Sequence, residues 1–319
     1  MSNNSEEQLF ALLNSYGKDE RHKTRCESHP NIAMIKYWGK ENVEKNTPSN
    51  GSLSVTLDVG TTITEITYSQ ISEHEFFLNG VKSQITKRIQ TAIDYFGRFL
   101  PNMYFRIEST NDFPTAAGFA SSAAGAAALI GALAGFVGNT CNPIEFWGKY
   151  GINLTRLARQ VSGSGCRSMY GGFVEWIPGN DEDSIANQIY DENYWSDLIV
   201  ISIPVKTEPK KVPSTVGMQR TLETCPWMNL KTKSIVPQRI IDAKQCISKK
   251  DFGSLAEIIM RESNELHASC AASFPPIFYL NDTSRMIINA IHELNEQHGK
   301  NIAAYSFDAG PNPFIFTEK

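Results

Sequence analysis

The first 25 residues are mostly polar and charged, without the long apolar stretch of a secretory signal, and read as a mobile or partly helical extension. Beyond them the hydrophobic pattern alternates between two periods. Ser52–Ser69 is rich in Val, Ile and Thr with partial alternation, as strands are. Phe76–Ser83 sets Asn79-Gly80 between apolar runs, which predicts a hairpin. From Gln84 to Leu100 the period changes. Ile85, Ile89, Ile93 and Phe96 fall on one helical face. Met103–Ser109 reads as a strand, Ala123–Phe136 as a tightly packed helix and Pro143–Gln160 as a second helix. A Ser/Gly loop at 162–168 leads to a strand at Tyr170–Trp176, and the continuous apolar run Asp197–Val205 predicts a buried strand. Helical spacing returns over Pro237–Ser248, Asp251–Leu266 and Asp282–His298, and Ala303–Phe316 reads as strand–turn–strand. Strands and helices interleave without strict β-α-β repetition, so the pattern predicts an α+β fold.

The 319 residues suffice for one large domain or two smaller ones, with a break expected near 190–205. Thirty basic against 34 acidic side chains give a net charge of −4. That balance lacks the basic field that non-specific nucleic-acid binding needs. An anionic ligand must therefore be held by local cations and backbone donors. Cysteines at 26, 141, 166, 225, 246 and 270 show neither C-x-x-C nor regular spacing, so reduced thiols in a cytosolic protein are expected. No charged residue occurs between Phe113 and Ile144, but Gly, Ala and Ser dominate that stretch, where a membrane span carries bulkier residues. Small residues there predict close approach of a helix and a loop to a sheet and a ligand.

Four segments carry candidate chemistry. In Asn111–Gly125, Gly118 permits a tight loop, and Ser121 and Ser122 stand where a helix begins, a receptacle for phosphate. The same residues suit an Ala-rich packed helix with serine caps. In Ser162–Ser168, alternating Ser and Gly give a flexible backbone with converging donors, and Arg167 can grip a carboxylate or phosphate with paired N–H bonds. A surface turn with a solvated Arg is the plainer alternative. In Asn31–Lys40, an extended strand projects Lys36 and Lys40 to one side, flanking Tyr37-Trp38, either to meet an anion or as surface lysines. Lys206, Lys210 and Lys211 add cations that are equally at home in solvent. In Ser306–Phe314, Asp308 follows a strand and precedes a Gly-Pro-Asn turn, exposing a carboxylate at a sheet edge or merely organising the turn.

Taken together the segments go beyond generic pattern. Pro114–Ala123 resembles the phosphate loop of the GHMP kinase superfamily. Within it, NIAMIKYWGK, SLSVTL, FPTAAGFASSAAG, LARQVSGSGCRSMYGGFVEW, ELHASCAASFPPIFYLNDTS and FDAGPN resemble the mevalonate diphosphate decarboxylase family, in family order from residue 30 to 316. The resemblance implies a GHMP-kinase-like fold of two domains with the active site in the cleft between them. It places an extension at 1–28, an ATP-binding domain at 29–200 and a C-terminal domain at 201–319. It implies ATP-dependent conversion of mevalonate 5-diphosphate to isopentenyl diphosphate in isoprenoid biosynthesis, with ATP and Mg2+, in a cytoplasmic homodimer with no nucleic-acid or membrane partner. By position, Asp308 matches the catalytic aspartate, Arg167 the arginine that pairs with the substrate carboxylate, and Lys36 the lysine beside the reacting centre. Tyr37, Lys40, Ser162, Ser164 and Ser214 match substrate contacts. Gly118, Ser121 and Ser122 match the ATP phosphate and Mg2+ site, with Ser121 on the metal, and Asn31 a nucleotide contact.

The chain departs from the family pattern at Gly51, Phe119, Val161, Gly165 and Pro313. It also stops at Lys319, where the resemblance implies a further helix and strand, so a shortened C-terminal domain with an open sheet edge is expected. The alternatives are a GHMP small-molecule kinase that phosphorylates mevalonate or its phosphate without decarboxylation, and a non-catalytic protein on the same fold.

Overall fold

A computed structural model describes residues 3–17, 23–112, 121–205 and 211–319. The first half runs α1 (Asn3–Ser15), β1 (Thr24–Ser28), β2 (Asn31–Ile35), β3 (Lys40–Asn42), β4 (Thr47–Pro48), β5 (Ser52–Thr56), β6 (Thr62–Tyr68), β7 (Glu75–Leu78), β8 (Val81–Lys82), α2 (Lys87–Gly97) and β9 (Phe105–Asn111). There follow α3 (Ser121–Gly138), α4 (Pro143–Gly148), α5 (Leu154–Val161), a 3₁₀ segment (Gly163–Met169), β10 (Phe173–Trp176), β11 (Ala186–Tyr190) and β12 (Leu198–Ser202). The rest is α6 (Ser214–Thr224), α7 (Met228–Leu230), a π turn (Lys231–Ile235), α8 (Val236–Lys249), α9 (Phe252–Ala271), α10 (Asp282–Gln297), β13 (Ala303–Phe307) and β14 (Pro313–Glu318). The α+β expectation holds. Among the described residues no helix is long and apolar enough to cross a membrane.

The chain forms two compact units that do not follow its linear order, because Asn31–Leu57 joins Tyr170–Lys319 while the segments before and after it build the other unit. The first unit centres on a five-stranded sheet, β1-β6-β9-β7-β8, antiparallel except for β7 with β9. Asn79 and Gly80, at φ 50° and 78°, make the β7–β8 turn, the left-handed pair such a hairpin needs. Thr86 caps α2 by accepting from the Ile89 N–H, and Ile93 and Phe96 on its buried face contribute roughly 1.5–3 kcal/mol each. The expected helix over Pro143–Gln160 is two helices, because Gly151 at φ 71° turns the chain between them. The extension is docked: Leu9 and Leu13 of α1 lie fully inside this unit's core.

α3 is where small residues matter. A Cβ on Gly131 would come 2.4 Å from the Cys26 sulfur of β1, so Gly lets the helix lie directly on the sheet. The same close packing seats the 3₁₀ segment. Gly163, Gly165, Cys166, Arg167 and Ser168 are buried, so the Ser/Gly stretch is a compact turn and not the flexible loop its composition predicts. A Cβ on Gly165 would stand 2.7 Å from the Ala126 Cβ of α3 and 3.1 Å from the Ala158 carbonyl of α5. Neither a helix backbone nor an alanine can move aside cheaply. Gly165→Ala should therefore lower stability by about 1–3 kcal/mol, read as a fall in urea midpoint at unchanged m-value.

The second unit holds a four-stranded sheet, β11-β10-β5-β2, a three-stranded sheet, β12-β14-β13, and the β3–β4 hairpin. α8 and α9 pack on β2, and their apolar faces, Ile240, Ile247, Leu255 and Ile259, share one core with Ile32, Met34, Leu53, Tyr305 and Phe307. Asp251 caps α9, and its hydrogen bonds from Ser254 hold its carboxyl below the usual carboxylate range. The expected buried strand at Asp197–Val205 is instead an edge strand. Among the described residues β12 pairs only with β14, and Ile201 and Ile203 stay exposed. An unbroken apolar run cannot distinguish the edge of a sheet from its centre.

Candidate functional site

β2 is buried at every position and leads Lys36 into the interior of the second unit. Its side chain is 2% exposed, and its ammonium lies 2.8 Å from Oδ1 of Asp308, whose side chain is 41% exposed. Asp308 sits just past β13, at the edge of its sheet, where the strand opens into the Ala-Gly-Pro-Asn turn. A buried ammonium costs several kcal/mol unless it is paired, so this contact defines the geometry of both groups. The pair thus presents one half-exposed carboxylate, oriented from behind by a cation.

A histidine lies close to the pair. His267 of α9 has both ring nitrogens buried and without a hydrogen-bond partner among the described residues. Burial first, then the Lys36 charge, press its pKa down to about 4, against weaker opposition from the Phe307 backbone and Asp308. The ring is therefore neutral near pH 7 and adds no charge beside the pair.

Lys36 and Lys40 do not share one extended strand. β2 ends at Ile35, Gly39 turns the chain at φ 115°, and Lys40 begins β3. The two ammoniums therefore meet different partners, Lys40 donating to Asn46 Oδ1 at 2.7 Å in a buried contact. Between them the half-buried Tyr37 ring packs 4.6 Å, centre to centre, from Trp176. Asn31, at the start of β2, is 2% exposed, and Ser214 opens α6 half-buried.

In the first unit, Ser162 ends α5, and its hydroxyl lies 3.4 Å from that of Ser122 in the first turn of α3. That first turn carries no acidic residue, so no carboxylate of its own opposes an anion at the helix start. Ser164 is half-buried and Arg167 is 3% exposed in the 3₁₀ segment. Arg167 and Arg159 lower the neighbouring Cys166 thiol, but burial outweighs them and pushes it up to about 12, so it stays protonated. Gly118 and the Ser121 side chain lie outside the described residues, as do Lys206 and Lys210.

Sequence reasoning missed the residues behind Lys36. Asn50 Nδ2 donates to the Lys36 carbonyl at 2.9 Å, and the Lys36 N–H donates to Glu262 Oε2 at 3.1 Å. Glu262 was detectable: it falls on the buried stripe of α9 with Leu255, Ile259 and Leu266, where a charge is out of place. Asn50 carried no such signal.

Two family models cover most of the chain, the diphosphomevalonate decarboxylase-like N-terminal domain over residues 28–186 and the mevalonate 5-diphosphate decarboxylase C-terminal domain over 199–319. The chain is similar to the diphosphomevalonate decarboxylase of Aspergillus fumigatus, 42% identical over 308 residues, 90% of this chain and 74% of that protein. It superposes on the mevalonate diphosphate decarboxylase of Trypanosoma brucei with a TM-score of 0.84 at 36% identity, covering 93% of this chain and 80% of that one. It is similar also to MDDEF solved in complex with MVAPP, AMPPCP and magnesium, with a TM-score of 0.80 at 35% identity, over 93% and 89% of the two chains.

Proposed function

The chain belongs to the mevalonate 5-diphosphate decarboxylase family, and we propose that it converts mevalonate 5-diphosphate and ATP into isopentenyl diphosphate, ADP, phosphate and CO2 through a 3-phosphorylated intermediate. The observation that carries this reading is the Lys36–Asp308 pair, a buried ammonium 2.8 Å from a carboxylate that keeps 41% of its surface open. A tertiary hydroxyl is a poor leaving group, and ATP, when bound, supplies the phosphoryl group that makes it a good one. Asp308 orients or deprotonates that 3-hydroxyl, and Lys36 holds the carboxylate and offsets negative charge on the transferring phosphoryl group. As phosphate departs, positive charge builds at C3, and the bond to the carboxylate supplies the electrons as CO2 leaves.

Arg167 is assigned the substrate carboxylate, because a planar fork matches it with two N–H bonds. Ser162 and Ser164 are assigned hydrogen bonds to the diphosphate or carboxylate, and Tyr37, Lys40 and Ser214 further contacts to the substrate. For the nucleotide, the start of α3 offers N–H donors beside the Ser122 hydroxyl, which fits a polyphosphate. Mg2+ prefers oxygen ligands and shares them with phosphates, and Ser121 would contribute one. Gly118 and Asn31 complete the nucleotide assignment. A cytoplasmic homodimer belongs to the same reading.

Incubating the purified chain with ATP, Mg2+ and mevalonate 5-diphosphate should release ADP and CO2 in equal amounts. ADP without CO2 would make the protein a kinase. No turnover, together with no rise in melting temperature on adding nucleotide, would leave a non-catalytic member of the fold.

A further inference from the structure

Side chains grip the backbone of Lys36 just past the end of its strand. β2 pairs with β5 up to Ile35 opposite Leu53, after a slip in register between Ala33 and Ile35. One residue on, the Lys36 N–H goes to Glu262 and its carbonyl to Asn50. Glu262 is fully buried. Its other carboxylate oxygen receives Arg239 Nη1 and stands 3.5 Å from the Lys231 ammonium. Arg239 also grips Glu265 with a fork of 2.7 and 2.8 Å, and Lys231 lies 3.2 Å from Glu265. Two carboxylates and two cations balance. Burial works to discharge Glu265 and Arg239, but their mutual bonds and the charges of Lys231 and Glu262 overturn it, so Glu265 is held below the usual carboxylate range and Arg239 above its ordinary value.

A strand amide needs only a neutral acceptor, and a buried carboxylate is a costly one. What the ion set adds is rigidity. It joins the π turn, α8 and α9, so the point where Lys36 leaves its strand is tied to three helical segments by charge-assisted bonds. Beyond that anchor a flexible lysine side chain must deliver its ammonium to Asp308, and small displacements at a reacting centre are costly.

We infer that Glu262, set by Arg239 and Lys231, is a positioning residue that fixes the Lys36 backbone so that its ammonium meets Asp308 in one geometry. The inference rests on the roles proposed above for Lys36 and Asp308. Among the described residues, Arg239, Lys231 and Glu265 face Glu262, and Lys36 and the neutral His267 are among the groups that face Asp308.

Glu262→Gln keeps an oxygen for the Lys36 N–H but removes the charge that ties it to Arg239 and Lys231. Its kcat for CO2 release should fall about 10- to 100-fold, with KM for ATP within about twofold. The acid limb of the kcat–pH profile should move to higher pH, because a carboxylate less firmly held by a cation is protonated more readily. In a Lys36→Met background the same change should leave kcat within about twofold, because the residue it positions is gone. A wild-type kcat and pH profile in Glu262→Gln, or full multiplication of the two losses in the double variant, would overturn the inference. If Glu262→Gln does not fold, Arg239→Lys takes its place with the same readouts and the same overturning results. A wild-type chain that releases no CO2 overturns the activity itself, whereas an active chain indifferent to Glu262 overturns only this positioning role.

Discussion

Asp308→Ala should lower kcat for CO2 release by about 10³- to 10⁴-fold while ATP still raises the melting temperature as in the wild type. The carboxylate stands in a solvent-accessible position, so its loss removes little packing, and Ala can occupy the turn after β13 without backbone strain. What disappears is the group that orients or takes the hydroxyl proton and that faces the buried Lys36 ammonium at 2.8 Å. Asp308→Asn separates the two effects, because it keeps the shape and loses the charge. If the proton is the issue, Asn should be nearly as slow as Ala. Steady-state rates of ADP and CO2 together check this, and a variant that keeps a tenth or more of wild-type turnover removes Asp308 from the mechanism.

Arg167→Lys is the second large effect expected, about 10²-fold in kcat/KM for mevalonate 5-diphosphate, with KM for ATP little changed. The residue is 3% exposed in a 3₁₀ segment pressed against α3 and α5, so its reach is set by the backbone and a lysine cannot adapt by moving it. A lysine retains the charge but makes point contacts where a guanidinium makes a planar pair. Because charge is conserved, a fall in kcat/KM at unchanged melting temperature would isolate geometry as the cause. Near-normal kinetics would contradict the carboxylate grip. The Gly165→Ala variant is a useful contrast, since it strains the same segment by crowding and leaves the guanidinium intact.

Much of the architecture was legible in local pattern. The 3.6-residue spacing of Ile85, Ile89, Ile93 and Phe96 and the Asn79-Gly80 pair each report a conformation set within a few residues, and α2 and the β7–β8 hairpin are where they point. So were the small residues of α3, whose absent side chains bring the helix onto β1. Asp308 after a strand, Arg167 in a Ser/Gly-flanked turn and Lys36 near two aromatics were visible as candidates, because unusual residue types at turns and strand ends stand out locally.

Other features were decided elsewhere in the chain. β12 reads as a buried strand and lies at an edge, since burial depends on how many neighbours a strand acquires, which its own residues do not record. Lys36 and Lys40 share a face only if the strand continues, and Gly39 ends that possibility. The meeting of Lys36 with Asp308, 272 positions apart, and with Glu262, 226 apart, depends on the order of strands in two sheets and on a helix laid across them. Local periodicity fixes which side chains a segment offers and which face it buries. Which charges come within 3 Å of one another is settled by tertiary packing, because an ion pair in the interior forms only where the folded chain has already excluded water.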